Sequence, residues 1–321
     1  MFVSFLIGAI AIGTVLLYGC LGEMLMEKSG HLNLGIPGIM CMGTAGGCLG
    51  IELYMNGLAN PENASWFLLI LISILMSILF SVATGAIYGF LTVTLRCNQN
   101  ITGLAVTTFG TGLAQFIMSS YVSRKLFNTA GKIISRGLVN DPNANGFLRV
   151  FFSHGFFVYF AIALAIVFAA VLKRTRLGLH LRAVGENPAA ADADGINVTA
   201  YKYGSIFVGS AVAGFGGLFY TMDYLKGSWE NASTIESFGW LAIALVIFTL
   251  WKPNISIFGS ILFGGLSITA YVLNGSSTQN ELLKLLPYII TVVVLIITSI
   301  RKKRENQPPA SLGLSYFREE R

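Results

Sequence analysis

The chain has 321 residues, 54% of them apolar and only 11% charged, with a mean hydropathy of +0.70. Soluble domains carry roughly a quarter charged residues, so the composition excludes an ordinary water-soluble protein. The net charge of +6 does not point to nucleic acid, because the basic residues gather beside apolar runs without interleaved aromatics.

Runs of about eighteen or more residues lacking Asp, Glu, Lys and Arg read as transmembrane helices. The pattern predicts an all-α, polytopic membrane protein forming a single domain over residues 1–321. About nine transmembrane helices are expected, with eight to ten compatible with the pattern. Thirty-six glycines suit close helix packing in a membrane. Cys20, Cys41, Cys48 and Cys97 lack metal or redox spacing and read as core residues.

The first predicted span covers residues 2–21. No basic region precedes it and the first charge is Glu23, so it is expected to stay as a helix and not be cleaved as a signal peptide. A charged turn follows with Glu23, Glu27, Lys28 and Ser29-Gly30. The second span, from Asn33 onward, carries Gly35, Gly38, Gly43, Gly46, Gly47 and Gly50 and is expected to be irregular and tightly packed.

The third span covers 66–95, long enough to tilt or project from the bilayer, and the fourth covers 101–121. The fourth holds Thr107, Thr108, Phe109, Gly110 and Thr111. Hydroxyls there either bond to their own helix or line a path for a neutral, polyhydroxylated solute. A polar loop is expected over 122–149, including the turn-forming run Asp141-Pro142-Asn143-Ala144.

The fifth span covers 150–172 and opens into a polar island, 173–201, beginning with Lys173, Arg174 and Arg176. Within it Asn187 is a favourable N-cap, Pro188 sits at the first helical position and Gly195 can close the helix in the left-handed region. A helix of two turns is not stable alone in water. Spacing alone leaves two readings, a solvated loop with a helical turn or a docking element presented to a partner.

The sixth span, 203–222, is again glycine-rich, and the seventh (237–251), eighth (255–273) and ninth (285–300) close the membrane domain. Arg301, Lys302, Lys303 and Arg304 then open a polar tail, 301–321. By the positive-inside rule the C-terminus is expected in the cytoplasm, the polar island on the same side and the N-terminus outside. The basic residues of the loop at 122–149 run against this count.

The stretch Gly-Glu-Asn-Pro-x-x-x-x-x-x-Gly-Ile at 185–196 resembles the cytoplasmic coupling loop of ABC-transporter permeases of the branched-chain amino acid, ribose and nucleoside group. Asn33-Leu34-Gly35 after Ser29-Gly30, and the closing Ser311-Leu312-Gly313, resemble the nucleoside and simple-sugar permeases. Pro37 departs from the family pattern, which often has an acid there. The resemblance implies a permease subunit of an importer in the bacterial cytoplasmic membrane, without an ATPase site of its own and with ATP bound by a partner subunit. It implies three partners: an ABC ATPase, a second and different permease chain, and an extracellular solute-binding lipoprotein.

Gly185, Glu186, Asn187, Pro188, Ala191 and Gly195 are then expected to contact the ATPase, and Asn33, Thr108, Phe109 and Thr111 to line the solute path. Two absences agree: no predicted span contains an Asp, Glu, Lys or Arg that could serve as an ion relay, and no phosphate-binding loop occurs. His31, His154 and His180 are too scattered for a metal site, and no catalytic constellation is recognisable. A nucleoside is the leading solute, with ribose or another sugar and branched-chain amino acids as alternatives. A stand-alone secondary transporter or channel is the competing class.

Overall fold

The computed structural model describes residues 2–121, 124–137, 145–272, 279, 282–283, 285–301 and 307–317. The turn at 141–144 and the basic residues Lys302 to Arg304 lie outside them. Among the described residues the fold is all helical. Helices α1 (Phe2–Glu27), α2 (Ile36–Asn56), α3 (Trp66–Gly89) and α4 (Gln99–Tyr121) are followed by α5 (Arg124–Ile134) and α6 (Gly146–Phe152). Then come α7 (Phe156–Arg174), α8 (Arg176–Glu186), α9 (Pro188–Ala193), α10 (Val198–Phe219), α11 (Ala232–Phe248), α12 (Pro253–Val272) and α13 (Leu286–Arg301). π-turns at Phe90–Thr94 and Tyr220–Tyr224 extend α3 and α10.

Among the described residues six helices are long and apolar enough to cross a membrane, and three shorter apolar ones match the seventh to ninth predicted runs. Burial separates the centre from the rim. The apolar windows of α2 and α10 are 89% and 83% buried, against 28% for α7. Centre helices must approach closely, and glycine permits it. A Cβ on Gly43 would stand 2.3 Å from the Gly214 Cα, and one on Gly22 would stand 2.4 Å from the Gly209 carbonyl oxygen. Gly110 of α4 meets Gly38 of α2 in the same way, its Cβ falling 2.6 Å from the Gly38 oxygen.

Five sequence expectations need correction. The second span is a regular helix starting at Ile36, because its glycines are walled by neighbouring helices and not left to solvent. Pro37, at the start of this helix, packs on Gly239 of α11. The loop at 122–149 contains α5, which buries Phe127, Ala130, Ile133 and Ile134 against the core. The fifth span is interrupted at residues 153–155, where Gly155 abuts the Asp223 carboxylate so closely that no Cβ fits. Cys97 is exposed, whereas Cys20, Cys41 and Cys48 are buried. Finally, the helices run past the apolar stretches: α1 takes in Glu23 and Glu27, α2 takes in Glu52, and α10 with its π-turn takes in Lys202 and Asp223.

The connections divide between two faces. On one, Gly146 lies beside Val3, Gly131 and Gly155 lie against Lys226 and Asp223, and Trp66 meets Phe156 edge-on at 6.1 Å. The other face gathers residues 28–35, 95–98, 175–197, 249–252 and 307–317, and it holds the candidate site.

Candidate coupling face

The predicted docking helix is present as α9, and its punctuation follows from its residues. Asn187 is extended, and its side-chain oxygen accepts the Ala190 N–H at 3.0 Å. Pro188 occupies the first turn. At the far end Gly195 has φ +82°, and Ile196 returns its N–H to the Ala191 carbonyl at 3.0 Å. That pairing satisfies a carbonyl the helix would otherwise leave open. A second helix, α8, precedes it. Thr175 caps α8 by accepting the Gly178 N–H at 3.2 Å. Leu181 and Val184, three apart among polar residues, form the buried side of α8 with Gly178 and Gly185.

Only one side of α9 is anchored. Ala191 is buried with Val184 and Val198, and Tyr316 and Tyr201 pack beside them. Ala190, Ala193, Asp194 and Gly195 face outward, as do Glu186 and Asn187. The base of the loop is fixed at Gly185, whose α-carbon presses on the Lys28 carbonyl, with room for no side chain. The Gly185 carbonyl accepts both the backbone N–H (3.0 Å) and the hydroxyl (2.5 Å) of Ser311.

The tail works as a strap across this face. Beyond Ser311, the Gly313 N–H donates to the Gly30 carbonyl at 3.1 Å, and the Tyr316 hydroxyl donates to Asp192 at 2.8 Å. Gln99 donates to the Leu314 carbonyl at 3.3 Å and accepts the Leu32 N–H at 2.9 Å, joining tail, α4 and the α1–α2 turn. Arg96, at φ +57°, lies over the Phe317 ring at 4.8 Å.

Beneath the strap the α1–α2 turn is held by buried polar contacts. The Asn33 N–H donates to Glu23 at 2.8 Å, and the Tyr88 hydroxyl donates to the Leu32 carbonyl at 2.8 Å. Ser29 and Ser205 share a hydroxyl hydrogen bond at 2.7 Å. The Trp251 indole donates to Glu27, which ties the left-handed turn at Leu250 and Trp251 to the end of α1. His31 is 1% exposed, and neither ring nitrogen has a partner among the described residues. Burial, then the nearby Lys202 charge, hold the His31 pKa well below the ordinary histidine value. Lys28 is also shifted down, by burial and by Arg182, with Glu186 and Glu27 opposing.

The four residues expected on a solute path do not converge. Asn33 is buried in the coupling face, where its side-chain oxygen caps the Gly35 N–H at 2.8 Å. Thr108 bonds its own helix at the Leu104 carbonyl (3.1 Å), and Phe109 is 53% exposed on the outer side of α4. Thr111 is half-buried beside Cys41. The tail, Gln99 and the pairing of Glu27 with Trp251 were not read as part of the site from sequence, and residues 176–186 were read as part of a polar loop, not as the helix α8.

The arrangement is a helical bundle carrying a protruding, well-capped helix on one face, with no metal-binding cluster among the described residues. Residues 5–295 match the family model for the permease component of branched-chain amino acid transport systems. The chain belongs to this family of ABC-transporter permeases, which leave ATP hydrolysis to a separate subunit. The curated relatives agree. TsgC13 of Haloferax volcanii, named as a candidate glucose ABC transporter permease, is 31% identical over 95% of both chains. NupC of Lactococcus lactis, a nucleoside ABC transporter permease, is 30% identical over 88% of each. NupQ of Bacillus subtilis, a guanosine ABC transporter permease, is 28% identical over 87% of each.

Proposed function

We propose that this permease carries a nucleoside inward, and that α9 is the helix through which its ATPase drives the membrane domain. The observation that carries the coupling role is the contrast within one loop. The outward side of α9 is unpacked, while its base at Gly185 is bonded to the tail and wedged on Lys28 at the end of α1. A displacement imposed on α9 therefore reaches the buried turn that joins α1 to α2. The working unit pairs this chain with a second, different permease chain, two ATPase subunits and an external solute-binding lipoprotein. The face carrying α9 and the C-terminal tail is cytoplasmic.

The nucleoside reading rests on relatives named for nucleosides and guanosine. Relatives named for glucose and fructose support a sugar as the second reading. The deciding experiment is uptake of labelled nucleosides, ribose and leucine by cells with and without this chain, with and without ATP depletion. Loss of ATP-dependent nucleoside uptake alone establishes the proposal. Loss of sugar or leucine uptake replaces the solute, and transport that survives ATP depletion but needs an ion gradient overturns the ATP-driven mechanism.

A further inference from the structure

A pocket of about 390 Å³ opens on the coupling face between the end of α3, the start of α10, α9 and the tail. Its walls include Arg96, Asp192, Val198, Thr199, Lys202 and Tyr316. We propose that this pocket binds a small phosphate-bearing anion, held by the Lys202 ammonium and the free N–H groups that begin α10.

Lys202 lies one turn inside α10, and helical side chains lean back toward their own N-terminus. The ammonium is thereby directed at the pocket. The residue is only 4% exposed, and no carboxylate or carbonyl pairs with the ammonium among the described residues. Asp192, an acid on the pocket wall, accepts the Tyr316 hydroxyl. A positive charge on the wall of a narrow pocket favours a ligand that supplies the counter-charge.

The helix start provides the second set of groups. Asn197 takes the Ala200 N–H at 2.9 Å, and the Val198 and Thr199 N–H groups have no protein partner among the described residues. Free first-turn N–H groups at the positive end of a 22-residue helix favour an anion. The volume is near the lower end for small-molecule sites, about 300–1,000 Å³. A phosphate with a short hydroxylated body fits it, with Asp192 and Tyr316 also on the wall. Such a group comes either from a soluble phosphomonoester or from a phospholipid headgroup of the adjoining leaflet. If α9 is the coupling helix, the occupant sits against it and biases its position. That consequence rests on the proposed function, but binding does not.

The test uses the intact purified chain without its ATPase, so that binding is judged apart from coupling. Thermal unfolding is followed in phosphatidylcholine nanodiscs while glycerol 3-phosphate is titrated at constant ionic strength. Parallel discs contain phosphatidylglycerol. Lys202→Met keeps the length of the side chain and removes its charge, and Lys202→Arg restores the charge. A soluble ligand gives a saturable rise in melting temperature whose half-saturating concentration is at least tenfold higher in Lys202→Met and recovers in Lys202→Arg. A lipid ligand gives no such titration, but phosphatidylglycerol raises the melting temperature of the native and Lys202→Arg chains and not of Lys202→Met. If Lys202→Met responds like the native chain to both, or if neither anion stabilises the native chain, the site does not exist. The Lys202→Met melting point in plain phosphatidylcholine shows whether that variant folds. If it does not, the absence of both native responses still overturns the proposal.

Discussion

Gly195 and His31 show how much single residues carry on the coupling face. Gly195 has open space around it, so a side chain is excluded there by its φ of +82° and not by crowding. A β-branched residue in that region costs about 1–2 kcal/mol. Gly195→Val is therefore expected to leave the amount of membrane-inserted protein unchanged while abolishing uptake, because only the end of α9 unwinds. Normal uptake by this variant would remove the cap from the mechanism. His31 predicts a pH dependence. Its folded pKa is depressed by burial and by Lys202, with Tyr88 as the aromatic neighbour. As pH falls through about 6.5, the unfolded chain takes up a proton that the folded chain refuses, so the unfolded state binds more protons and stability rises with pH. The contribution is complete above about 6.5 and declines by up to about 1.4 kcal/mol per unit below it. Melting curves at pH 7.5 and 5.5 should show the native chain losing more than His31→Leu, and equal losses would contradict the assignment.

At the scale of elements, crossings depend on contacts between backbones that a sequence reports only as glycine content. Gly43 and Gly204 both lie within glycine-rich helices, yet a Cβ on Gly43 strikes the Gly214 backbone while one on Gly204 meets nothing within 4 Å. Gly43→Ala should lower stability in detergent by about 1–3 kcal/mol through overpacking. Gly204→Ala should be neutral or stabilising by about 0.5–1 kcal/mol, since alanine restricts the unfolded chain. A reversed order would mean that α2 and α10 do not cross at Gly43 and Gly214. The tail is an element in the same sense, because its two bonds to Gly185 and one to Gly30 fasten segments far apart in sequence. Deleting residues 307–321 should raise amide exchange across 185–196 about tenfold, the equivalent of about 1.4 kcal/mol. Exchange confined to its native rate would show that α8 and α9 are held without the strap.

The whole molecule was legible in proportion to what a bilayer demands of its sequence. Among the described residues the predicted apolar runs fall on six long and three shorter apolar helices, because lipid requires apolar residues wherever backbone crosses it. The capped helix at 187–195 was legible because Asn187, Pro188 and Gly195 each act on neighbouring residues. What depends on distant partners was not: the break at Gly155 needs Asp223, the strap needs Gly185 and Gly30, and α5 shows its buried side only against the core. The orientation of the fold yields one further prediction. Trp251 bonds to Glu27, so α11 ends on the face that carries α9 and the tail. The α3–α4 turn joins this face through Ser315 and Arg96, at 3.4 Å. Cys97 sits in that turn and is exposed, while the other three cysteines are buried. A membrane-impermeant maleimide should thus leave the chain unlabelled in intact cells. In everted vesicles from cells lacking the ATPase it should add one label, and Cys97→Ser should abolish it. Labelling of intact cells at Cys97 would place the coupling face outside and reverse the molecule in the membrane.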